Sequence, residues 1–150
     1  MPLLCLAVHG CTQADGGAVE LSWALRSTQD REITDCAGER ISQIQLWWQN
    51  ADTLAFKGFP CEDSHGTTAF ELPSGPVTLW VQPACQFETG PRCLANPTPC
   101  ECLAKAADSA TFEAPPPLVR DVVVGETVTL DAVVMLIDND NICRQDLLCP

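Results

Sequence analysis

Positive charge is what this 150-residue chain has least of: eight Lys and Arg stand against twenty Asp and Glu, a formal charge of −12. With no cluster of basic side chains to take up phosphates, nucleic acid is excluded as a partner. Long apolar runs are missing as well. No stretch approaches the ~20 continuous apolar residues of a membrane-spanning helix, so any membrane contact is expected at the chain's N-terminal end. There is no GxSxG elbow, no HExxH and no Gly-rich phosphate loop, and therefore no recognisable seat for a nucleophile, a catalytic zinc or a nucleotide. The chain reads as non-enzymatic, with no cofactor.

Cysteine, by contrast, is dense, at ten residues. No CxxC pair occurs; Cys93, Cys100 and Cys102 come closest, and their spacing fits no common zinc pattern. Both histidines, His9 and His65, lie far in sequence from a second ligand. A disulfide framework follows, and with it an oxidising compartment. Setting aside Cys5 and Cys11 leaves an even set for bridges: Cys36, Cys61, Cys85, Cys93, Cys100, Cys102, Cys143 and Cys149.

At this length one domain is expected, able to bury roughly two thirds of its unfolded surface. Its pattern has a period of two. In AVELSWALR, Val19, Leu21, Trp23 and Leu25 point one way and Glu20, Ser22, Ala24 and Arg26 the other, as in a half-buried strand. A polar loop follows, with one helical turn near Cys36. ISQIQLWWQN then turns Ile44, Leu46 and Trp48 inward and Gln43, Gln45 and Trp47 outward. TTAFEL, PSGP and VTLWVQ read as two strands around a tight turn, with Pro73 fixing φ and Gly75 permitting positive φ. Val77, Leu79 and Val81 face the core there, and Trp80 faces away. From 85 to 107 alternation vanishes among clustered cysteines and prolines, which indicates a long loop pinned by bridges. Beyond Pro115–Pro117, LVRDVVV is one strand, and Val128, Leu130, Ala132, Val134 and Leu136 form the inner face of another. The sum is an all-β chain: a single antiparallel β-sandwich of about seven strands over 18–137, with the Cys-rich insertion at 85–107 and a disulfide-pinned tail at 138–150.

The opening AVHGC has Val8, Gly10 and Cys11 where bacterial lipoprotein signals carry an aliphatic residue, a small residue and the acylated cysteine. It resembles such a signal, with residues 1–10 removed, a lipid on Cys11 and 11–17 as a tether. The alternative is a first strand over 3–8, with Cys5 and Cys11 bonded. The strand order over 16–137 is also similar to that of uncharacterised Gram-negative lipoproteins with a carboxypeptidase regulatory-like, or transthyretin-like, sandwich. Leu72, Pro73, Gly75, Thr78, Leu79 and Val81 stand in their recurring phrase, and Val77 replaces its usual Tyr. The resemblance implies a structural or binding module in the cell envelope, on the periplasmic side of the outer membrane or at the cell surface. It also implies a Cys36–Cys61 bridge, closing a loop of about 25 residues worth on the order of 3 kcal/mol.

Few residues suggest a site. Asp63, Ser64 and His65 adjoin within a turn, whereas catalytic triads converge from distant segments. DNDN at 138–141 lacks the Gly and distal Glu of a calcium loop. Trp47 and Trp80 are the exception, because outward rings lower solubility unless covered. The expectation is that the Cys-rich loop packs over them. The alternatives are a flat platform that stacks on a glycan, or an inhibitor acting through the loop; an envelope protein is the other partner class.

Overall fold

The computed structural model describes residues 14–39, 41–85 and 112–138. Nine strands lie among them: β1 (Ala18–Ser27), β2 (Ile41–Gln49), β3 (Leu54–Pro60), β4 (His65–Thr67), β5 (Gly75–Cys85), β6 (Phe112–Glu113), β7 (Leu118–Val122), β8 (Thr127–Thr129) and β9 (Val133–Ile137). They form two sheets, one in the order β4-β1-β9-β6 with β8 also on β1, the other in the order β3-β2-β5-β7.

The alternation read from sequence matches the buried faces of β1, β2 and β5. Val19, Leu21, Trp23 and Leu25 meet Ile44, Leu46, Trp48, Val77, Leu79 and Val81 in one apolar cluster shared by both sheets. A sheet with one face on the core and one in water gives this period. Trp23 ties the layers further, its ring 6.0 Å from Phe59 and its Nε1–H donating to the Cys61 carbonyl at 2.9 Å. Cys61 opens a 3-10 turn after β3 and is bonded to Cys36, 25 residues away. Cys36 sits in a turn whose Glu39 N–H donates back to the Asp35 carbonyl at 3.3 Å, the helical turn expected there.

Three expectations are corrected. First, the pairing is not purely antiparallel: β1 runs parallel to β8 at Ala18–Glu20 and to β9 at Trp23–Ser27. Strand β1 is central, taking β4 on its other edge, so C-terminal segments complete the sheet that the N-terminal strand begins. Second, the described residues hold nine strands rather than about seven: the expected last strand is two, and His65–Thr67 and Phe112–Glu113 add β4 and β6. Leu130–Ala132 breaks the ladder, the Leu130 N–H bonding the Glu20 carbonyl at 2.8 Å. The break changes phase, so Val133, Met135 and Ile137 are buried while Val134 is exposed; a one-residue slip exchanges faces in this way. Third, TTAFEL is not one arm of a hairpin. Thr68 leaves the ladder to bond Val19 with both its N–H and its hydroxyl, and Leu72 pairs with Gly17. The segment thus crosses from the sheet of β4 to that of β5. Gly75 does have the positive φ expected of it, 99°.

Candidate functional site

The outer face of the β3-β2-β5-β7 sheet carries the most unusual side chains. Strands β2 and β5 are antiparallel neighbours in a register that sets Trp47 directly opposite Trp80, and the β2–β3 register sets Phe56 opposite Trp47. Three aromatic rings therefore share one cross-strand row. Trp47 and Phe56 stack with centroids 4.6 Å apart and planes 26° from parallel. Trp47 and Trp80 lie 5.9 Å apart at 13°. Both are offset-stacked geometries, so the rings stand in a file and Trp47 has a neighbour on each side. Trp47 and Trp80 are half-buried, whereas Phe56 is 44% exposed.

An amide row runs beside the rings. The Trp47 Nε1–H donates to Gln45 Oε1 at 3.1 Å, and the Gln82 Nε2 approaches the same oxygen at 3.5 Å. Gln45, an outward residue on β2, is nonetheless only 2% exposed. Across from it on β3 stands Gly58, where an added Cβ would press on the Gln43 amide at 2.5 Å. The glycine leaves the space that this glutamine fills. Leu54 and Val119, in the next row, are 59% and 61% exposed. The face thus grades from buried amides, through stacked rings, to open apolar side chains.

Sequence periodicity found Trp47 and Trp80 here but not Phe56 or the burial of Gln45. TLAFKGF has no strict alternation, so only strand register reveals that Phe56 completes the row. A glutamine at an outward position reads as solvated unless its neighbours are known.

The remaining candidates do not converge. His65 Nδ1 lies 2.9 Å from the Asp63 carbonyl oxygen, and the Ser64 carbonyl accepts the Trp23 N–H at 3.0 Å. The first is a turn contact, and the second continues the β1–β4 pairing. Asp30, on the surface, has its carboxyl held below the ordinary range, first by the Glu32 N–H donating at 3.0 Å; the cause is a local turn. Among the described residues no group of three or more His, Cys, Asp or Glu is placed to hold a metal ion, and no helix is long and apolar enough to cross a membrane. Cys85 is disulfide-bonded and buried. Cys11, Cys93, Cys100, Cys102, Cys143, Cys149, most of DNDN and the 86–107 part of the expected loop also lie outside them. The proposed cover over the tryptophans and the inhibitory loop belong to that portion. No family model, curated protein or solved structure matches the chain.

Proposed function

We propose that the protein is an exported, non-enzymatic binding module of the bacterial cell envelope, a transthyretin-like sandwich held to the membrane by a lipid on Cys11. The observation that carries this reading is oxidation: Cys36 is bonded to Cys61 and Cys85 is bonded too, a state that cytosolic thiols rarely keep. The lipoprotein-like AVHGC sequence supplies the anchor. Metabolic labelling with a palmitate analogue tests it. The full-length chain should take the label in the membrane fraction, and Cys11→Ser should lose it and become soluble. A wild type that keeps residues 1–10 and stays unlabelled refutes the reading.

The aromatic file favours a glycan as the ligand of this module. Phe56 ends the file on β3 with much of its ring open, and outward amides of Gln43 and Gln49 lie on the neighbouring strand. A sugar ring laid on Phe56 would extend the stack while its hydroxyls meet those amides.

A further inference from the structure

Where the chain passes from β6 to β7 it borders a cleft between the two sheets, away from the aromatic file's open end. The floor is apolar. Leu79 and Val81 of β5, Leu130 and Val133 line it, all of them buried core residues. Pro115 and Pro116 form a wall, rigid in φ and without an N–H to offer. The volume is about 200 Å³. Since an apolar cavity of ~150 Å³ accepts benzene, this one has room for a phenyl or branched alkyl group and its first methylene.

Two opposite charges border the same cleft from different segments of the chain. Arg120 belongs to β7, and Asp131 to the irregular segment between β8 and β9. Both are exposed, and among the described residues no ion pair joins them. The Arg120 Nη1 donates to the Val119 carbonyl at 3.2 Å, which uses one of the guanidinium's five donors. An apolar floor with an unpaired cation and an unpaired anion at its rim is complementary to a zwitterion carrying an apolar group.

We propose that the cleft binds a free α-amino acid with a large apolar side chain. The side chain lies on the Leu79–Val133 floor, the carboxylate meets the Arg120 fork, and the ammonium meets Asp131. A plain carboxylate is disfavoured by the chain's net charge of −12 and by Asp131 itself. A neutral apolar ligand would remove water from both rim charges without replacing it. An internal peptide residue lacks both terminal charges. The cleft meets the proposed glycan face only at Trp80, and the assignment holds or fails independently of envelope anchoring.

The test is a titration of the full chain with L-phenylalanine, followed by calorimetry and by tryptophan emission, since Trp80 borders the cleft. Saturable binding is expected. Arg120→Gln and Asp131→Asn should each weaken it about tenfold or more, a loss typical of a charge-assisted contact, with the thermal midpoint unchanged because both side chains are exposed. Phenethylamine and hydrocinnamate, each missing one charge, should bind as weakly as those variants, and L-alanine weaker still. No saturable binding, or equal binding of N-acetyl-phenylalanine amide, overturns the proposal. So does wild-type affinity in both folded variants.

Discussion

Replacing Trp47 with Ala should destabilise the protein far more than the loss of a surface side chain. Its ring stacks on Phe56 and on Trp80, and each such pair contributes about 0.5–1.5 kcal/mol beyond area burial. The lost indole N–H also deprives the buried Gln45 amide of its 3.1 Å donor, a hydrogen bond worth about 1 kcal/mol net. Together these give about 3 kcal/mol, at the low end of the range for deleting an aromatic side chain, as suits a half-buried one. Trp80→Ala removes only one of the two stacks and should cost less. A double-mutant cycle over Trp47 and Trp80 should return a coupling of about 1 kcal/mol. Urea unfolding followed by circular dichroism measures all three variants, and an unchanged m-value keeps the comparison valid. For a chain of this size the Trp47 change should lower Tm by about 6–12 °C. A cost below about 1 kcal/mol for Trp47→Ala, or zero coupling, would refute the file as a structural unit. It would return the two tryptophans to the role of independent exposed rings.

Converting both Cys36 and Cys61 to Ala opens a 25-residue loop, for which the chain-entropy relation gives about 3.5 kcal/mol; equal denaturant midpoints with and without the bridge would contradict it. Two glycines should fail for different reasons. A Cβ on Gly66 would stand 2.4 Å from the Phe59 ring, so Gly66→Ala should cost about 1–3 kcal/mol through overpacking between the sheets. Gly75→Ala meets no neighbour within 4 Å but forces a side chain onto φ 99°, so its cost of about 1–2 kcal/mol is backbone strain. Gly75→Asn should recover part of that loss and Gly66→Asn none, and calorimetric melting of the four variants distinguishes the causes.

What the sequence settles by itself is local. Alternation over 19–25, 44–48 and 77–81 needs no partner to be read, because a strand's side chains alternate by covalent geometry and water selects which set is buried. The same geometry marks Trp47 and Trp80 as outward and Gly75 as the position for a positive φ. The free energy that decides pairing, in contrast, is spread over segments far apart in the chain. Nothing in AVELSWALR says that its partners are parallel strands from residues 127–137, or that Leu130–Ala132 will interrupt them and reverse the inner face. TTAFEL has a strand's composition but becomes a crossover, since Thr68 and Leu72 find better hydrogen-bond partners at Val19 and Gly17. Register likewise made the candidate site. It set Phe56 beside Trp47 and buried Gln45 under its neighbours, and packing brought Arg120 of β7 and Asp131 of the β8–β9 connection to one cleft. Each of these is a relation between segments distant in the chain, which only tertiary packing fixes.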